Sequence, residues 1–288
     1  MSGHPIAVFD SGLGGLSVVR HLRQLLPHEN LVYFGDTARI PYGTKSRPTV
    51  LQFALETAGF LLQFEPKLIV AACNTASALA LDVLERDMPV PVIGVVKPGA
   101  LAAVRLAQSR TVAVIGTEAT IASSAYRKAI RALAPEQPVI ALACPLFVPL
   151  VEEGRDGKDP IVQLAVETYL GALRSEAIGV LVPGCTHYPL LRDAIAACLG
   201  PDVQIVDSGR ETSLTVRRHL TEQGNLSAQA GIGTMQCYVS DNPARFRQVG
   251  SRFLNEPIEH VELVEPERYV NLPRGVVEPG GRPAGGVQ

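Results

Sequence analysis

Two stretches decide how this chain folds: Leu68-Ile-Val-Ala-Ala-Cys73-Asn74-Thr75 and Val180-Leu-Val-Pro-Gly-Cys185-Thr186-His187. Each is an almost uninterrupted apolar run that ends in a cysteine and polar residues, and each is followed by a segment of helical period. A strand apolar at successive positions is buried on both faces, which is the mark of a parallel sheet covered by helices. The two cysteines are 112 residues apart, and so are Ile93 in Val92-Ile-Gly-Val and Ile205 in Gln204-Ile-Val-Asp. The strand-turn Ile6-Ala-Val-Phe-Asp10-Ser11 echoes Val112-Ala-Val-Ile-Gly116-Thr117 at a spacing of 106. A shared offset predicts two α/β units of similar plan.

Working outward, the apolar runs predict strands at Ile6–Phe9, Leu31–Phe34, Leu68–Ala72, Val92–Val96, Thr111–Ile115, Val139–Ala143, Ile178–Val182 and Gln204–Val206. Two later runs, Met235–Val239 and His260–Val264, flank a helical pattern at Ala244–Phe253. Helical periodicity marks Thr49–Phe64, Ser77–Glu85, Ile121–Leu133, Ile161–Leu173 and Leu190–Leu199. The expected class is α/β, with two similar domains of mainly parallel sheet and the active site in the cleft between them. Residues 1–98 with 209–270 form the first domain and 99–208 the second. The tail, 271–288, is rich in Gly and Pro without apolar periodicity and reads as a disordered end.

Composition narrows the function. The 288 residues are 47% hydrophobic and 19% charged, enough for a sizeable core. A balance of 26 Lys+Arg against 28 Asp+Glu gives a net charge of -2, so no footprint for nucleic acid or an anionic membrane is present. Arg127, Lys128 and Arg131 read as the solvated face of a helix. The N-terminus lacks the basic and apolar regions of a secretory signal, and the apolar stretch Val139–Val151, cut by Pro145 and Pro149, is too short to span a bilayer. Five cysteines with no Cys-x-x-Cys pair fit a reduced, cytoplasmic protein and count against a thiol redox role.

Cys73 and Cys185 carry the chemistry. The carboxyl ends of parallel strands are where ligands bind, and a helix N-terminus favours a thiolate. Cys144, Cys198 and Cys237 lack that matched context and read as buried structural thiols. Two related units facing each other would present two thiols across one cleft. Such a pair suits racemisation at a carbon, where a thiolate removes a proton from one face and a thiol donates to the other. Asp10 ends the first strand, and Ser11-Gly12-Leu13-Gly14-Gly15 could hold a carboxylate at a helix N-terminus or simply cap that helix. This glycine run is not the dinucleotide fingerprint, whose third glycine would fall at Ser17. Nor is Tyr42-Gly43-Thr44-Lys45-Ser46 a phosphate loop, whose first glycine would fall at Arg39. His187 lies two residues from Cys185, close enough to serve it. A zinc site starting from the two lacks further ligands, so no metal is expected. Glu152 and Glu153 read as a solvated pair or as a source of one carboxylate for His187.

These residues are similar to the glutamate racemases, the cofactor-independent branch of the aspartate/glutamate racemase superfamily. The matching stretches are Phe9-Asp-Ser-Gly-Leu-Gly-Gly-Leu-Ser17, Tyr33-Phe-Gly-Asp-Thr37 with Pro41-Tyr-Gly43, and Ala71-Ala-Cys-Asn-Thr-Ala76. They continue through Val112-Ala-Val-Ile-Gly-Thr117 with Thr120, Gly184-Cys-Thr-His-Tyr-Pro189 and Asp207-Ser-Gly209. Each motif alone is weak; the ordered set, spanning about residues 5–264, is specific. The resemblance implies interconversion of L- and D-glutamate, with supply of D-glutamate for peptidoglycan, and neither cofactor nor metal. It implies Cys73 and Cys185 as the acid/base thiols, Asp10 assisting Cys73, and His187 with Glu152 assisting Cys185. Substrate binding would fall to Asp10, Ser11, Tyr42, Gly43, Asn74, Thr75, Thr186 and His187, joined by Asp36, Thr117 and Thr120. Family members are commonly dimers, which makes a homodimer an expectation, and some inhibit DNA gyrase, for which the charge balance here gives no support. An aspartate or other amino-acid racemase on the same thiols is the alternative.

Overall fold

A computed structural model describes residues 3–270. The first unit runs β1 (Ile6–Asp10), α1 (Leu16–Leu25), β2 (Leu31–Gly35), α2 (Arg47–Leu61), β3 (Leu68–Ala71), α3 (Asn74–Leu79), α4 (Leu81–Asp87) and β4 (Val92–Gly94). The second runs α5 (Val96–Ala107), β5 (Thr111–Gly116), α6 (Glu118–Ala122), α7 (Ala125–Leu133), β6 (Val139–Ala143), α8 (Phe147–Glu152), α9 (Pro160–Leu170), β7 (Ile178–Gly184), α10 (Arg192–Leu199) and β8 (Gln204–Ile205). The chain then returns through α11 (Ser208–Glu222), β9 (Met235–Val239), α12 (Pro243–Leu254) and β10 (Val261–Leu263).

Every strand pairing is parallel. One sheet has the order β10-β9-β2-β1-β3-β4 and the other β6-β5-β7-β8. The order β2-β1-β3-β4 therefore repeats as β6-β5-β7-β8, which is the internal similarity of the sequence seen as topology. Cys73 follows β3 and Cys185 follows β7, equivalent strands in the two sheets.

The apolar runs are explained by burial on both faces. Ile6 and Val8 of β1 join one apolar cluster, whereas Ala7 and Phe9 join another on the opposite face. Likewise Ala113 and Ile115 of β5 separate from Val112 and Val114. The cluster holding Ile6 and Val8 also holds Ala113, Ile115 and Leu181, so one core runs through both sheets. At about 1.5–3 kcal/mol per buried aliphatic side chain, this shared core is what fixes the units together.

Several expected boundaries shift. The strand expected at Val92–Val96 ends at Gly94, and Val96 already belongs to α5. The helix expected at Ile121–Leu133 is two helices, broken at Ser123-Ser124, where Ser124 adopts a left-handed φ of 57°. The helix expected at Ser77–Glu85 begins earlier, at Asn74, and is divided at Ala80. The expected tail, 271–288, lies outside the described residues.

Candidate active site

The carboxyl ends of the two sheets face one another. Asp10 closes β1 and is wholly buried; its Oδ2 accepts from the Gly12 amide at 2.9 Å. Its Oδ1 accepts from Thr186 Oγ1, in the other unit, at 3.4 Å. The loop after β1 needs glycine here: a Cβ at Gly14 would lie 2.1 Å from Thr186 Oγ1. A second crossing joins Thr75 to Thr117 and Thr120, with hydroxyl oxygens 3.0 and 3.1 Å apart. At a third, Gly43 approaches Thr117 so closely that a Cβ would come within 2.5 Å of it.

Cys73 stands at the N-cap of α3, only 5% exposed. Its thiol donates to Ser11 Oγ at 3.6 Å. Burial, reinforced by the neighbouring Asp10 charge, pushes its pKa up to about 12, while the Ala76 amide and Ser11 favour the thiolate. Burial likewise raises the Asp10 pKa, opposed by His187 and by the Gly12 and Gly15 amides. On this side protons are held.

Cys185 is 7% exposed, with Sγ 3.8 Å from His187 Nδ1. His187 Nε2 lies 3.0 Å from Glu152 Oε1. Burial disfavours the imidazolium, but Cys185 and Glu152 outweigh it and lift the His187 pKa to about 10. This side lines up a thiol, an imidazole that holds its proton and a carboxyl group. A charge on Cys185 also raises the Cys73 pKa, so the two sulfurs share one electrostatic environment.

The expected residues are not all equivalent. Thr75, Thr117, Thr120, Thr186 and Asn74 meet at the crossings between the units, and so does Gly43, whereas Ser11 contacts Cys73 within the first unit. Asp36 instead holds Tyr42. Its carboxylate accepts from the Tyr42 hydroxyl, from Arg39 Nε at 2.7 Å and from Ser240 Oγ at 2.9 Å. Glu152 is not in a loop: it ends α8, because Pro149 sits in that helix's first turn, where its missing amide hydrogen costs nothing. Glu153 pairs with Arg155 at 3.1 Å, away from His187.

Residues with no sequence signal complete the site. Arg252 of α12 donates to the Val151 carbonyl at 3.1 Å and Arg245 to the Glu152 carbonyl at 3.3 Å, capping the C-terminus of α8 with positive charge. The Phe253 ring meets the His187 ring edge-on at 5.2 Å. Tyr126 donates to Asn74 Oδ1 at 2.6 Å. Among the described residues no group of three or more His, Cys, Asp or Glu could hold a metal, and no helix is long and apolar enough to cross a membrane.

Comparison with known proteins places this geometry in context. The family model Asp/Glu/Hydantoin racemase matches residues 14–213. Glutamate racemase of Geobacter metallireducens is 48% identical over 262 residues, 91% of this chain and 97% of its own. Its counterpart from Chlorobaculum tepidum is 46% identical over 264 residues, again 91% and 97%. The crystal structure of glutamate racemase from Francisella tularensis in complex with D-glutamate superposes with a TM-score of 0.87 at 41% identity, covering 93% of this chain and 100% of that one. That from Thermus thermophilus, in complex with β-chloro-D-alanine, gives 0.84 at 46% identity, covering 93% and 99%.

Proposed function

The chain belongs to the aspartate/glutamate racemase family and is an isomerase that interconverts L- and D-glutamate; we propose that it does so with Cys73 and Cys185 as the two acid/base groups. The observation that carries this reading is the pair of equivalent strand-end thiols, each with its own proton-handling partner.

With glutamate bound, the α-carbon lies between the sulfurs. In one direction the Cys185 thiolate removes the α-proton, and the electron pair stays on the α-carbon. The Cys73 thiol then delivers a proton to the opposite face. Cys185 ends as thiol and Cys73 as thiolate, and the reverse reaction restores the first state. Proton transfer by positioned groups contributes roughly 10²–10⁴-fold in rate. Amides and hydroxyls of Ser11, Asn74, Thr75 and Thr186 take the α-carboxylate and steady the developing negative charge. The substrate ammonium brings to the Cys73 side the positive charge that His187 supplies to the other, easing ionisation of Cys73 beside Asp10.

Both thiols are nearly buried, so glutamate enters when the two units part at the Asp10–Thr186 and Thr75–Thr117 contacts. In this reading residues 1–98 with 209–270 and residues 99–208 are the moving domains. The D-glutamate made would supply peptidoglycan synthesis in the cytoplasm, and a homodimer and a gyrase contact rest on the family resemblance alone.

The test is racemisation of L-glutamate by the purified, reduced protein without added pyridoxal phosphate, set beside aspartate. Appearance of D-glutamate that is lost in both Cys73→Ala and Cys185→Ala is expected. Activity retained in either variant, or aspartate turned over in place of glutamate, would contradict the reading.

A further inference from the structure

The Asn74 carboxamide can present either an acceptor or two donors to the substrate. Tyr126, on α7 of the other unit, is 3% exposed, and its hydroxyl lies 2.6 Å from Asn74 Oδ1. We propose that Tyr126 is a positioning residue that fixes which end of the Asn74 carboxamide meets the substrate.

A hydroxyl both donates and accepts, so something must set its direction. Burial raises the Tyr126 pKa, which keeps the proton on the ring oxygen. Ser208, at the start of α11, supplies the rest. Its Oγ is buried and makes no hydrogen bond within ordinary reach, yet it lies near enough to favour the Tyr126 phenolate against that burial. A Cβ placed on Gly99 would stand 3.3 Å from Ser208 Oγ and 3.4 Å from the Tyr126 hydroxyl, so both atoms border the same spot. Asn74 Oδ1 can only accept, so the tyrosine proton goes to it, and the Tyr126 oxygen keeps a lone pair that Ser208 can reach by a small side-chain rotation. The Asn74 Nδ2 group is then left as the donor, next to Cys73, where a carboxylate oxygen of the substrate can accept. Ser208 belongs to the Asp207-Ser-Gly209 motif, which the two-thiol chemistry leaves without a task. The bond that fixes Asn74 thus runs from α7 to α3, across both units.

The inference rests on Asn74 binding substrate. The experiment measures kcat and KM for both enantiomers in the wild-type chain, Tyr126→Phe, Asn74→Ala and the double variant, with melting temperatures alongside. Tyr126→Phe should raise KM about tenfold for both enantiomers, the size of one hydrogen bond to a charged group, and leave kcat within about threefold. In the Asn74→Ala background it should add nothing, because the two residues act through one bond. Ser208→Ala keeps the tyrosine in place and should raise KM in the same sense by a smaller factor. A purely structural Tyr126 would lower the melting temperature and multiply its effect with that of Asn74→Ala; that result, or an unchanged KM in Tyr126→Phe, overturns the proposal. Full activity in Asn74→Ala removes the binding reading and the proposal together, whereas an impaired Asn74→Ala with an unaffected Tyr126→Phe removes the proposal alone.

Discussion

Cys73 and Cys185 occupy the same place in two copies of one topology, yet their surroundings solve the same problem differently. Around Cys185 a buried positive charge is built in: His187, held by Glu152, keeps its proton up to a pKa of about 10. Around Cys73 the charged neighbour is a carboxyl: buried Asp10 stands beside a thiol pushed up to about 12. In the proposed mechanism one side rests as base and the other as acid. The divergence is small in sequence, Asn74-Thr75 against Thr186-His187, but it places a proton-holding imidazole on one side alone. Repeated folds give two equivalent positions, and a single residue such as His187 makes them chemically unequal.

The largest expected effect comes from removing either sulfur. Cys73→Ala and Cys185→Ala should each lower racemisation at least about 10³-fold, within the range for lost acid–base groups, with melting temperatures close to wild type. Unequal losses, one near zero, would reduce the site to a single thiol. A smaller, directional effect separates the partners. Asp10→Asn should slow the direction in which Cys73 takes the proton by about 10²-fold, and the opposite direction less. For His187→Ala the asymmetry should reverse, with the larger loss, about tenfold or more, where Cys185 is the base. Initial rates from each pure enantiomer measure both, and equal losses in the two directions would erase the distinction between the sides.

The smallest effect is on stability against pH. The folded-state pKa of His187 lies above its ordinary value of 6.5, at about 10. The native state therefore binds this proton more tightly than the unfolded chain. The resulting stability is present in full below pH 6.5 and is lost as pH rises toward 10. Cys73, raised from 9.0 to about 12, continues the decline above pH 9. Urea midpoints should fall across that range, and Glu152→Gln should flatten the part below pH 10. Glu153→Gln should leave the profile unchanged, since Glu153 pairs with Arg155 instead.

The fold was legible because strands buried on both faces leave no room for polar residues, so Ile6–Asp10 and Ile178–Gly184 stand out as apolar runs. The positions of the thiols followed from their place at strand ends. What could not be read depended on contacts remote in sequence. Glu152 and Glu153 are adjacent, and the residues alone left the choice open; the family resemblance named Glu152, and the turn of α8 is what aims it at His187. The break at Ser123-Ser124 was hidden because α6 and α7 continue one apolar rhythm on either side of it. Phe253, Arg252 and Tyr126 serve the site from elements whose sequences look like ordinary amphipathic helices. Asp36 carried a family motif, yet its oxygens accept from Tyr42, Arg39 and Ser240, so what it holds is the Tyr42 loop.

The measurement that bears most directly on two thiols acting from opposite faces is the fate of the α-hydrogen in deuterated water. Each pure enantiomer of glutamate would be followed by NMR at early times, before the reverse reaction contributes. With separate acid and base, the product enantiomer should carry solvent deuterium from its first appearance while the remaining substrate keeps its own hydrogen. Product that retains the original hydrogen, or deuterium that enters substrate and product equally, would mean that one group serves both faces and would contradict the account.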